Sequence, residues 1–156
     1  MKPLLILLFS FSLILTACSG GDSGEQSQSS AEATEEQGLS DFEMEHGIGP
    51  VSERMEIGDD IDEELRLRGQ EIFEMKCEMC HNMEGRMVGP PLGDVMERRS
   101  PEFVMNMVLN PQGMTKNHPV GQELLQEYMT AMPFQNVKEE DARAIVEYLR
   151  DHNMNN

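Results

Sequence analysis

The stretch CEMCH, Cys77 to His81, places two thiols three residues apart with an imidazole directly after the second. Three chemistries compete for such a group: covalent attachment of a haem, coordination of zinc, and dithiol redox exchange. A zinc site built from two cysteines and one histidine needs a fourth ligand or a catalytic water, and adjacent Cys80 and His81 are poorly disposed to aim both side chains at one small ion beside Cys77. A thioredoxin-like dithiol calls for a βαβ setting, and the chain has no strand pattern of any length. Haem uses the spacing directly. Thiols at 77 and 80 form thioethers to two vinyl groups on one edge of the ring, and His81 then lies under the iron as an axial ligand.

Cysteine accounting narrows the field further. The 156-residue chain has three cysteines, and Cys18 stands far from the other two. Cys77 and Cys80 are therefore an isolated pair, too few for a four-cysteine zinc site or a disulfide framework. Haem propionates need cationic partners, and Arg86, Arg98 and Arg99 in the stretch after His81 are the candidates, with a solvated basic turn as the competing account. Several of the 14 methionines are possible thioether ligands for the other side of an iron. Met83 and Met87 are too near the attachment stretch to cross a ring plane. Met96, Met105 and Met107 occupy helical or near-helical positions where core filling is the default, and Met129 in LLQEYM reads as helix packing. His118 offers bis-histidine ligation, but its place before Pro119 favours a capping or surface role. His46 reads as a solvated linker residue, and His152 as a partner of a helix C-terminus.

The elements that must position these groups are helical. DIDEELRLRGQEIFEMK begins with acidic residues, carries Leu65, Ile72 and Phe73 on one side, and runs straight into CEMCH. GRMVGPPLG follows as a loop, its glycines and prolines excluding regular helix. Ser100-Pro101 opens a helix through PEFVMNMVLN, and Asn110-Pro111 stops it. A second start at Asn117 or His118-Pro119 opens PVGQELLQEYMT, and the AMPF segment breaks that helix at its proline. KEEDARAIVEYLR closes the domain as an amphipathic helix, with Ala142, Ile145, Val146 and Leu149 on one face. The fold class is all-α, a small helical domain over residues 60–156 with one covalently bound haem at its centre. So small a core, without tryptophan, benefits from a buried apolar cofactor.

Upstream, MKPLLILLFSFSLILTAC has a charge at Lys2, an apolar run of about 12 residues and small residues before Cys18. The run falls short of the roughly 20 residues that span a bilayer, so residues 1–17 read as a secretion signal. Leu15-Thr16-Ala17-Cys18 is similar to the lipobox of bacterial lipoproteins. That resemblance implies lipidation of Cys18, a membrane anchor, and a cell-envelope location facing the periplasm or on the outer membrane. From Ser19 to Asp59 there are 11 acidic residues against one arginine. Residues 18–59 accordingly read as a lipidated, acidic, flexible tether whose later part, FEMEHGIGPVSERMEIG, has enough apolar residues to lie against the domain.

The order GQEIFEMKCEMCH, GPPLG, AMPF and AIVEYL resembles the class I, monohaem c-type cytochromes over roughly residues 62–151. In that family a glycine and an aromatic on the first helix pack against an aromatic on the last, and the matching positions are Gly69, Phe73 and Tyr148, with Ile145 beside it. The resemblance also implies that the carbonyl of Pro90 orients His81, and that Met132, 51 residues after His81 and just before Pro133, is the second axial ligand.

Iron bound by both histidine and methionine has no open position for substrate, so the expected function is one-electron transfer by a membrane-tethered carrier in a bacterial extracytoplasmic respiratory chain, not enzymatic catalysis. The competing readings are a haem subunit of a periplasmic reductase or peroxidase, and a haem-based sensor with an open sixth position. From Asp60 onward the chain has 18 acidic and 10 basic residues, a net charge of −8. This calls for redox partners with a basic docking patch, and no nucleic-acid partner is expected.

Overall fold

In the computed structural model, which describes residues 38–155, the domain is organised on a crossing of its longest helices, α2 (Glu63–Lys76) and α7 (Glu139–Met154). Asp62 caps α2, its carboxylate accepting from the N–H groups of Glu64 and Leu65 at 3.0 Å each. Acidic residues fill the first turn of both helices, where the positive end of the helix dipole favours them. Gly69 is what lets the helices meet, because a Cβ there would overlap the carbonyl oxygen of Ala144. The roughly 1 kcal/mol that a mid-helix glycine costs is offset by this close approach. Beside it the rings of Phe73 and Tyr148 lie 5.4 Å apart, as the family resemblance implied. Ile72, Ile145, Val146 and Leu149 continue the buried seam.

Glu147 is fully buried in this seam and fully partnered. Its carboxylate accepts from the N–H of Asp62 at 3.0 Å, from Arg150 at 2.7 Å and from Arg143. Burial is the largest single influence on this group and opposes ionisation. The hydrogen bonds from Asp62, Arg143 and Arg150 outweigh it together and hold the carboxyl below its usual range.

Three helices that begin at prolines form the other wall: α4 (Pro101–Leu109), α5 (Pro111–Asn117) and α6 (Pro119–Tyr128). Each has a side-chain cap. Ser100 accepts from Phe103 N–H, Asn110 from Gly113 N–H and the ring Nδ1 of His118 from Val120 N–H, at 3.2, 3.1 and 3.2 Å. Asn110-Pro111 is thus both a stop and a start, and the sequence reading of a stop alone missed α5. The short helix α3 (Val95–Arg98) in the loop before α4 was also missed. Helix α6 ends at Tyr128 with Met129 left-handed, earlier than the break expected at Pro133. Every regular element among the described residues is a helix, and none of them is long and apolar enough to cross a membrane.

The remaining helix corrects one expectation, the place of His46. Residues 41–46 form α1 (Asp41–His46), opened by a capping box between Ser40 and Glu43. From here to Met55 the chain lies against α4 and α5, so the later part of the expected tether rests on the domain. His46, expected in solvent, is 2% exposed, with Nδ1 2.7 Å from the Ser100 hydroxyl and its ring 4.5 Å from that of Phe42. The reason is a set of buried and half-buried polar side chains that collect this strap's backbone groups. Asn106 donates to the carbonyls of His46 and Val51 and accepts from Val51 N–H, Asn110 donates to the Ile48 carbonyl, and Glu102 accepts from Met55 N–H. The signal segment 1–17, Cys18 and the first part of the expected tether lie outside the described residues.

Candidate functional site

Helix α2 delivers the two thiols. Its ladder ends with Cys77 N–H bonded to the Phe73 carbonyl, after which the N–H groups of both Cys80 and His81 turn back onto the carbonyl of Cys77 at 3.0 and 2.9 Å. This tight turn brings Cys77, Cys80 and His81 to the wall of one cavity of about 180 Å³. Residues 82–93 return alongside through bonds from Gly89, Leu92 and Gly93 to the carbonyls of Cys80, Asn82 and Met83. Pro90 carbonyl lies 2.9 Å from His81 Nδ1. A carbonyl only accepts, so Nδ1 carries the hydrogen and Nε2 keeps its lone pair, the tautomer that a metal ligand requires.

The thiols are not joined to each other. Burial pushes the Cys77 thiol up to about 11, with the Lys76 charge opposing and neighbouring Cys80 adding to the rise. Dithiol exchange needs a thiolate, so this environment disfavours it. Among the described residues no group of three or more His, Cys, Asp or Glu side chains is placed to hold a metal ion.

The cavity gathers some of the candidates and excludes others. Met132 lines it, along with Thr130, Ala131 and Pro133, and so does Met107 of α4, which the sequence reading had treated as core filling. Met105 and Met114 are buried in the body at 1% and 0% exposure, while Met129 is 83% exposed. His118 caps α6 as expected but is buried, not on the surface, and is not part of the cavity wall. Its Nε2–H is given to the carbonyls of Glu43 and Met44, at 3.1 and 3.3 Å.

Arg98 and Arg99 both line the cavity. Arg98 donates to Asp94 at 2.7 Å and to the Pro91 carbonyl at 3.2 Å, whereas the Arg99 guanidinium rests 5.0 Å from the centre of the Phe103 ring. Arg86 is engaged elsewhere, with Glu127 and Tyr128. Lys76 and Tyr128 are site residues that sequence reasoning passed over, and Met107 is one that it assigned to core filling. Only Lys76 carried a signal, its position next to Cys77.

This donor set fits a haem. The walls are mainly apolar and come from α2, α4, α6 and α7. Two unpaired thiols share the wall with an imidazole whose Nε2 keeps its lone pair, with thioethers and with two guanidinium groups. A flat macrocycle with acidic substituents needs that combination.

Comparison with known proteins agrees. The family model for cytochrome c matches residues 67–153. Cytochrome c from Rhodothermus marinus is 43% identical, with a TM-score of 0.70, covering 74% of this chain and 98% of that one. An engineered cytochrome c from the same organism, solved with a bound carbene intermediate, is 42% identical with a TM-score of 0.66, covering 72% of this chain and 97% of that one. A search of curated protein sequences gave no match. The chain belongs to the cytochrome c family, electron-transfer proteins that bind one covalent haem c and work with redox protein partners.

Proposed function

We propose that this protein is a membrane-tethered one-electron carrier, with Cys77 and Cys80 as the points of covalent attachment and with His81 and Met132 as the axial ligands of the iron. The observation that carries the proposal is the His81 ring, fixed through Nδ1 on the Pro90 carbonyl, in a cavity that also contains both thiols and Met132. When bound, haem supplies a reversible one-electron couple whose potential methionine ligation raises. The chain's own residues hold the imidazole in its ligating tautomer, surround the ring with apolar side chains, and keep water away from it. Arg99, which has no carboxylate partner among the described residues, is the better placed of the two candidate propionate partners, with Arg98 partly committed to Asp94.

Lipidation of Cys18 after removal of residues 1–17 would place the domain on the periplasmic side of a bacterial envelope membrane, with the acidic stretch as its leash. The tether raises the local concentration of the carrier near membrane partners. The domain's net charge of −8 favours partners with a basic docking patch, and association should slow as salt rises.

Absorption spectroscopy of the holoprotein tests the ligand set. Met132→Ala is expected to abolish the long-wavelength band of a thioether bound to ferric iron and to admit carbon monoxide to the reduced protein, while Met107→Ala leaves the band in place. If the wild-type protein binds carbon monoxide readily, the sensor or reductase reading replaces the carrier. Loss of the band in Met107→Ala instead would move the ligand to α4.

A further inference from the structure

Residues 129–137 carry Met132 from the end of α6 to the start of α7 without a helix. The backbone is left-handed at Met129 (φ 54°) and Asn136 (φ 50°), near the two ends of the segment. Among the described residues no backbone–backbone hydrogen bond involves residues 130–137. Val137 is buried in the core at the far end of the segment, and two cations from the vicinity of the CEMCH turn reach the segment and the end of α6 that leads into it. Lys76, immediately before Cys77, donates from Nζ to the carbonyl of Gln135 at 3.1 Å. Arg86, in the loop after His81, donates from Nη2 to the carbonyl of Glu127 at 2.8 Å and lays its guanidinium 4.2 Å from the centre of the Tyr128 ring. Tyr128, Met132 and Gln135 all line the cavity.

Both bonds end on backbone carbonyls, so each restrains the course of the chain and not merely a side chain. The Glu127 carbonyl lies in the last turn of α6, where helices leave acceptors unpaired and where a cation is favoured. We infer that Lys76 and Arg86 form a two-point bracket that keeps residues 129–137 seated and so governs how often Met132 leaves the iron. They are positioning residues, and the inference rests on Met132 being the sixth ligand. An entering ligand competes only when the segment is open, so its apparent affinity scales with the open fraction. Arg86 is the stronger arm because it combines a hydrogen bond with ring stacking, whereas Lys76 makes one bond from a flexible stem.

Imidazole titration of the ferric holoprotein, followed by loss of the thioether–iron band, reads the open fraction. Arg86→Ala is expected to raise imidazole affinity about five- to tenfold and Lys76→Ala about threefold, with the double variant exceeding either. Arg86→Lys should fall between wild type and Arg86→Ala. Glu127→Ala should stay within about twofold of wild type, since the carbonyl that Arg86 uses remains. Amide exchange across residues 130–137 in Arg86→Lys and Lys76→Gln, both milder changes, gives a second readout that should accelerate in step with imidazole affinity. If Met132→Ala binds imidazole far more tightly than wild type while the Arg86 and Lys76 variants do not, the bracket is overturned and the ligand assignment stands. If Met132→Ala leaves the band and the affinity unchanged, the assignment fails and the bracket with it. An effect of Glu127→Ala equal to that of Arg86→Ala would replace the backbone bracket with a simple carboxylate pair.

Discussion

Residues 40–57 and residues 129–137 both cross the domain largely without helix, but they are held in opposite ways. In the first, buried side chains of the body reach out to the strap's backbone. Asn106, at 0% exposure, takes three of its carbonyls and one N–H, and Asn110, Glu102, His118 and the Met114 sulfur take others. In the second, Val137 is buried at the far end, and the hydrogen-bonding ties on the segment and on the end of α6 are the tips of two exposed cations. A hydrogen bond in a dry site is expensive to leave unmade, whereas one at the surface exchanges with water at little cost. The strap is thereby part of the core, and the Met132 segment is a part built to be released.

Removing the central clamp of the strap should give the largest effect. Asn106→Ala strands three carbonyls and the Val51 N–H in a buried setting, and a loss of about 3 kcal/mol of unfolding free energy is expected in chemical denaturation. Imidazole affinity should be unchanged in the same variant. A loss below about 1 kcal/mol would mean that water or a rearranged strap satisfies those groups, and the contrast between the two segments would collapse.

That clamp was partly legible in the sequence. A polar Asn106 inside the apolar run PEFVMNMVLN is a signal that something polar comes to meet it, but the partner lies 55 residues earlier in a stretch whose composition resembles a linker. Local pattern reports propensity and amphipathicity, and from it came the all-α class, α2, α4, α6, α7 and the CEMCH turn, while the Gly69 crossing came from the family resemblance. Burial of His46 depends on the Ser100 hydroxyl and that of His118 on the carbonyls of Glu43 and Met44, partners brought from far along the chain that carry no sequence signature. The same limit hid Lys76 and Arg86. The groups they bind are main-chain oxygens, so the sequence assigns Lys76 no role and offers Arg86 only as a candidate propionate partner.

Acid should loosen the strap next. Burial is the largest influence on Glu102 and raises its pKa, but the N–H of Met55, its own N–H, the Ser100 hydroxyl and His46 together hold the carboxyl below its usual value of 4.5. A carboxyl with a depressed folded-state pKa contributes stability that is present above the unfolded value and is lost as pH falls through the folded one. Unfolding free energy measured from about pH 6 down to pH 3 should therefore fall more steeply in the wild type than in Glu102→Gln, by about 1 kcal/mol over that range. Glu147 titrates alike in both proteins and cancels in the difference. Parallel profiles would show that the strap's bond to Glu102 does not depend on its charge.

The smallest effect is expected in the other segment, and with the opposite sign. Met129 holds a left-handed conformation at the C-cap of α6 with its side chain 83% exposed, so it pays a local backbone penalty and anchors nothing buried. Glycine removes that penalty of about 1–2 kcal/mol, and the extra freedom it gives the unfolded chain takes back about 0.5–1 kcal/mol. Met129→Gly should therefore stabilise the domain by about 0.5 kcal/mol in the same denaturation experiment, with the thioether–iron band retained. Destabilisation by more than about 1 kcal/mol would mean that the Met129 side chain is an anchor, and the segment would then belong with the strap, not apart from it.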